Sequence, residues 1–121
     1  MRSLSIVVAA FFLVVDLSSA AFAHAHLLKS SPAAGATVKV MPTELTLWFT
    51  EALECAFCTV EVVDEAGGRV DAGKAVLDAK DAKVLHVALA PLAKRKYKVT
   101  WKAVSVDSHT TSGNFTFTVA P

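Results

Sequence analysis

The chain has 121 residues, 54% hydrophobic and 19% charged, with a formal net charge of +1 and a mean hydropathy of +0.48. That is too apolar for a disordered chain and too short for two domains of ordinary size. The near-neutral charge gives no basis for nucleic-acid binding or for a polybasic membrane contact.

The hydrophobic excess sits at the start. From Met1 to Ala23, 17 of 23 residues are hydrophobic; from His24 to Pro121 the count is 48 of 98, ordinary for a soluble domain. Arg2 supplies a short positive region, Leu4 to Val15 is an uncharged run of 12 residues, and Ala21 and Ala23 form a small-x-small site that suits a signal peptidase. The run falls short of the roughly 20 residues that cross a bilayer. Residues 1–23 are therefore predicted to be a secretory signal peptide cleaved before His24. Residues 24–121 form the mature domain, outside the cytoplasm and not inserted in the membrane. Its first residue is a histidine with a free α-amine.

Period-two alternation dominates the mature domain. A short strand is expected at His26 to Lys29, followed by breaks at Pro32 to Gly35 and at Pro42. In Glu44 to Thr50, Leu45, Leu47 and Phe49 face one way, with Glu44, Thr46, Trp48 and Thr50 opposite. Weaker runs cover Cys58 to Val63 and Lys83 to Leu89, with a hairpin-type turn at Asp64 to Gly68 and a short strand plus turn within Asp71 to Ala82. Tyr97, Val99, Trp101 and Ala103 alternate with lysines and a threonine, and Phe115, Phe117 and Val119 alternate after a turn at Ser112-Gly113. Six or seven short strands with turns between them predict an all-β, Greek-key β-sandwich of immunoglobulin-like shape, with Tyr97 placed for a tyrosine corner. Fold alone assigns no function.

The mature domain has four histidines: His24, His26, His86 and His109. In Asp107-Ser108-His109 the outer two residues point to the same side if the chain is extended; alone, an Asp-x-His is also just two exposed loop residues. A terminal histidine adds weight, because its α-amine and ring Nδ1 close a six-membered chelate. A third nitrogen from His109 gives a nearly square set, with Asp107 as an oxygen ligand. Tetragonal N,O coordination is the preference of Cu(II). Zinc would want a closed tetrahedron, which the two cysteines are not arranged to supply.

The start His24-Ala25-His26-Leu27 with Ser31-Pro32-Ala33-Ala34-Gly35 resembles the opening of the CopC family of periplasmic copper-binding proteins. The resemblance continues through Leu47-Trp48-Phe49-Thr50-Glu51, Tyr97-Lys98-Val99-Thr100-Trp101, Ala103 to His109 and Ser112 to Phe117, covering nearly all of His24 to Val119. It implies a seven-stranded barrel or sandwich with one Cu(II), bound by the amine and ring of His24, by His109 and by Asp107. Glu51 matches an outer-shell glutamate, or is simply a solvated loop acid. His26 is expected to be second-shell or structural, although sharing the metal is sterically conceivable. His86 matches no motif and is read as structural. The resemblance also implies an inner-membrane copper-handling partner.

Three departures stand out. Only Met1 and Met41 are present, so the thioether Cu(I) segment of some family members is not expected. Arg95 and Ser108 stand where the family usually has glycine. Cys55-Ala56-Phe57-Cys58 lies outside the family pattern, and in an oxidising compartment two cysteines usually pair. An extended segment would hold the two Cα atoms about 10 Å apart, beyond the roughly 7 Å limit for a disulfide. Pairing of Cys55 with Cys58 therefore requires a turn at Ala56-Phe57. A Cu(I) thiolate site and a thioredoxin-like pair are the alternatives, the latter disfavoured because no βαβ pattern surrounds the motif.

The expected function is a non-enzymatic, monomeric Cu(II) binder that sequesters or delivers copper in the periplasm. Two other readings differ in class. One is a copper-brace oxidative enzyme like the polysaccharide monooxygenases, for which 98 residues leave little platform. The other is a metal-free immunoglobulin-like interaction module.

Overall fold

The computed structural model describes residues 24–120. Eight strands fill this span: β1 (Leu27–Ser31), β2 (Thr37–Val38), β3 (Glu44–Phe49), β4 (Thr59–Asp64), β5 (Val76–Leu77), β6 (Val84–Ala88), β7 (Lys96–Val104) and β8 (Thr110–Val119). They form two four-stranded sheets, ordered β1-β3-β6-β5 and β2-β8-β7-β4. The chain passes repeatedly from one sheet to the other, and the all-β sandwich expected from the alternation is the observed architecture. The two-residue β2 and β5 bring the count above seven. The proposed leader, residues 1–23, lies outside the described residues. Among the described residues no helix is long and apolar enough to cross a membrane.

Alternation translates directly into burial. In β7, Tyr97, Val99, Trp101 and Ala103 are buried while Lys96, Lys98, Thr100 and Lys102 are exposed. From β3, Leu45, Leu47 and Phe49 meet them across the sandwich, joined by Leu85 and Val87 of β6 and by Phe117 and Val119 of β8. Side chains of this size each contribute about 1.5–3 kcal/mol when fully buried. The aromatic members are oriented as well as buried: Tyr97 stacks on Phe117 at 5.4 Å between centroids, and Phe49 meets Trp101 edge to face at 5.3 Å. The Tyr97 hydroxyl donates to the Ala93 carbonyl and accepts from the Ala93 N–H, closing the expected tyrosine corner.

Two expectations need correction. Ser112 and Gly113 are not a turn; they lie inside β8, opposite Lys102 and Trp101 of β7. Gly113 is there because the Trp101 ring covers it: a Cβ would stand 2.7 Å from Trp101 Cζ2. The turn falls earlier, where the Ser108 N–H donates to the Ser105 carbonyl and Ser108 takes a positive φ of 72°. This is also why glycine suits the position that Ser108 occupies. The second correction concerns Thr46, which is buried rather than on a wet face, beneath its β6 partner His86.

His86 is clamped. Its Nδ1 lies 2.8 Å from Glu44 Oε1 and its Nε2 lies 2.8 Å from Asp78 Oδ1, with Thr46 Oγ1 at 3.2 Å. Both nitrogens can donate only when the ring is protonated. The hydrogen bond to Asp78, assisted by Glu44, raises the His86 pKa, and the same bond lowers that of Asp78. A raised histidine stabilises fully below its ordinary value of about 6.5, and that contribution is lost as pH rises through the raised value. The Asp78 contribution is present above about pH 4 and is lost as pH falls through its lowered value. Melting temperatures measured across pH should therefore be highest between these limits and fall on the alkaline side, with His86→Ala flattening that fall. The change is modest, since water and salt screen carboxylates this exposed. An unchanged profile in the variant would show that the clamp does not couple to folding.

Candidate metal centre

Residues 24–26 run along one end of the sandwich, held there by two threonines. Thr50, just past β3, donates its hydroxyl to the His24 carbonyl at 3.1 Å and accepts the His26 N–H at 2.9 Å. Its own N–H donates to the His26 carbonyl at 2.9 Å. From the opposite sheet, the Thr111 hydroxyl in β8 donates to the Ala25 carbonyl at 2.6 Å. Ala25 between them is wholly buried in the core. The segment is therefore fixed through its own main chain by Thr50 and Thr111, and its two histidine side chains are left on the exposed side.

The turn between β7 and β8 supplies the facing wall. Ser105 is 2% exposed and organises it: its N–H donates to the His109 carbonyl at 2.9 Å and its hydroxyl donates to Asp107 Oδ1. The same Asp107 oxygen lies 3.2 Å from His109 Nδ1 and 3.4 Å from the His109 backbone nitrogen, whose N–H it accepts. The Ser105 hydroxyl, followed by the His109 contacts, holds the Asp107 carboxyl below the usual carboxylate range. It is therefore an anion at neutral pH. Asp107 and His109 thus converge as expected, though across a tight turn and not along an extended strand.

The three histidine rings gather at this end. The His24 and His109 centroids are 5.0 Å apart, edge to face at 83°, and the His24 and His26 centroids are 6.1 Å apart. A ring nitrogen about 2 Å from a transition metal puts its centroid about 3 Å away. Two rings on one ion are then separated by roughly 4.5–6.5 Å. The 5.0 Å spacing of His24 and His109 fits that range. Among the described residues no group of three or more His, Cys, Asp or Glu side chains forms a ready cage for an ion. The expected set relies on a main-chain nitrogen at His24, and in the 121-residue chain that nitrogen is a peptide amide.

Of the other expected residues, Glu51 is half-buried beside Thr50, and among the described residues no hydrogen bond or ion pair links it to these groups. His26 contributes its backbone to the Thr50 bonds while its side chain is exposed. The expected Cys55–Cys58 disulfide is absent, and both thiols are free. The turn that pairing requires does exist, as one 3-10 turn over Cys55–Phe57. The sulfurs are used separately: Cys55 Sγ donates to the Ala75 carbonyl and Cys58 Sγ to the Glu54 carbonyl, each at 3.3 Å. Sequence reasoning does not single out Thr50, Ser105 or Thr111. Threonines in alternating strands look like ordinary β-formers, and only the closeness of Thr50 and Thr111 to residues 24–26 in space gives them a role.

Residues 27–120 match the family described as "CopC domain". The chain is 34% identical over 107 residues to the copper transport protein CutJ of Bacillus subtilis, covering 88% of this chain and 20% of CutJ. It is 38% identical over 99 residues to protein YobA of Escherichia coli K12, covering 81% of this chain and 80% of YobA. Among solved structures, CopC from Methylosinus trichosporium OB3b superposes with a TM-score of 0.76 at 30% identity, covering 81% of this chain and 95% of that one. The chain thus spans about a fifth of CutJ but most of YobA and of the solved CopC.

Proposed function

The chain belongs to the CopC family of copper-handling proteins, and from that premise we propose that it binds one Cu(II) at the His24–His109 end, as a carrier and not a catalyst. The observation that carries this reading is the 5.0 Å approach of the His24 and His109 rings, backed by Asp107 on one side and by the Thr50 and Thr111 clamps on the other. Once residues 1–23 are removed, His24 offers its α-amine and Nδ1 as one chelate. Asp107 is the proposed oxygen ligand, and its Oδ1, 3.2 Å from His109 Nδ1, keeps the two side chains together. His26 and Glu51 act outside the ligand set. Sequestration in the periplasm and delivery to an inner-membrane partner belong to the same proposal. So does a monomeric carrier.

Titration of Cu(II) into protein beginning at His24 tests this directly. One tight equivalent is expected, lost in His24→Ala and in His109→Ala. No tight equivalent, or binding undiminished in both variants, would overturn the assignment.

The threonine clamp gives a finer prediction. Thr50→Val removes both side-chain bonds to residues 24 and 26 while keeping the shape. Supporting groups of this kind are worth about 10–100-fold in metal affinity, so Cu(II) should bind about tenfold more weakly, and Thr50→Ser should restore it. Equal affinities in all three proteins would mean that Ala25 and Thr111 alone position the terminus.

A further inference from the structure

Away from the histidines, Cys55 and Cys58 line an open cleft of about 570 Å³ together with Val60, Arg69, Lys74 and Val76. The 3-10 turn folds the four-residue segment back, with the Cys58 N–H donating to the Cys55 carbonyl at 3.2 Å. Both cysteines thereby border the same cleft. We propose that this pair is a second metal site, distinct from the histidine end, in which one Cu(I) is held between the Cys55 and Cys58 sulfurs.

The donor set selects the ion. Thiolates favour soft cations, Cu(I) foremost among those a copper protein meets. Among the described residues no third His, Cys, Asp or Glu joins the pair as a metal-holding group. Zinc, which wants four ligands, is poorly served by two, whereas d10 Cu(I) is content with a near-linear pair. On binding, two S–H bonds break, two Cu–S bonds form and two protons leave to solvent. Copper arrives and remains as Cu(I), so no oxidant or reductant is consumed. The product carries one net negative charge, which Lys74 on the cleft wall offsets; Arg69 there is already paired with Asp71 and Glu61. Glu54, adjacent to the turn, opposes it.

Cys58 is buried, and a buried thiol is a slow partner in disulfide exchange. The site shares no ligand with the histidine end.

The test uses protein beginning at His24, kept anaerobic and freed of reductant. Thiol counting should give two free thiols per chain. Titration with Cu(I) against a chromophoric cuprous chelator should then show one equivalent with an ultraviolet thiolate-to-copper band. Cys55→Ser and Cys58→Ala should each weaken Cu(I) by about a hundredfold and leave the Cu(II) titration as it was. Cys55 is only partly buried, so its variant remains informative even if Cys58→Ala is unstable. An intact Cys55–Cys58 disulfide, no Cu(I) uptake by the free thiols, or full Cu(I) affinity in Cys55→Ser would each overturn the proposal. Loss of Cu(II) binding in His24→Ala with Cu(I) binding retained separates failure at one site from failure at the other.

Discussion

A protein carrying one extra residue before His24 should bind Cu(II) at least about a hundredfold more weakly than one that begins there. The extra residue turns the α-amine into a peptide amide, whose lone pair is delocalised into the C–N bond and is no longer a good ligand. The five atoms that complete a ring with the metal are all still present, but one of their two donors has gone. His109 and Asp107 are untouched, so the loss isolates the amine. The same group sets the pH response. An α-amine has an ordinary pKa of about 7.7–8.0 and must shed its proton to coordinate. Cu(II) affinity at the free terminus should therefore fall close to tenfold for each unit of pH below about 7.5. The extended protein should lack the amine component of that slope. Competition titrations at pH 6, 7 and 8 on both proteins check the two points together, and equal affinities for the two would remove His24 from the site.

Gly113→Ala should be the most damaging glycine-to-alanine change among the described residues. Its Cβ would stand 2.7 Å from Trp101 Cζ2 and 2.9 Å from Cε2, well inside van der Waals contact. Trp101 cannot simply tilt away, because it is 8% exposed and rests edge-on against Phe49, itself 2% exposed. Overpacking of this kind costs about 1–3 kcal/mol, and the rigidity of both walls puts this case toward the upper end. For a domain of this size that is a fall in Tm of about 10 °C or more, accompanied by a change in tryptophan emission. Gly67→Ala is the useful contrast. At φ +83° with nothing within 4 Å of the added atom, it carries only a backbone cost of about 1 kcal/mol. If the two variants melt together, the Trp101 contact is softer than its geometry states.

Trp101 and Gly113 also mark the boundary of what can be read without coordinates. Strands β3 and β7 are legible because Leu45, Leu47, Phe49 and Tyr97 to Ala103 alternate in the sequence as they do in space. Gly113 reads as a turn because glycine signals a turn and a close approach equally, and only the partner strand tells which. Strand β2 leaves no sequence signal, because Thr37–Val38 is a strand solely by its parallel pairing with Thr118 and Val119, far along the chain. At the candidate metal centre, His24, Asp107 and His109 are proposed from ligand chemistry and family motif. Thr50, Thr111 and Ser105 are not, since their roles depend on which main-chain atoms the two sheets bring alongside. The cysteines illustrate the converse: spacing states that a turn is needed, but not that each sulfur finds its own carbonyl.

Under the proposed cleavage before His24, the burial of Ala25 sets an order of events. Its side chain is sealed in the core and its carbonyl is tied to Thr111, two residues after the bond between Ala23 and His24. A protease threads several residues on each side of its target bond through an extended groove, and here the downstream side would have to be pulled from between both sheets. If residues 1–23 are cleaved as proposed, cutting should come before β3 and β8 close over the terminus, and the yield of processed protein should depend on a race between processing and folding. Weakening the Ala25–Thr111 clasp would slow the folding side of that race.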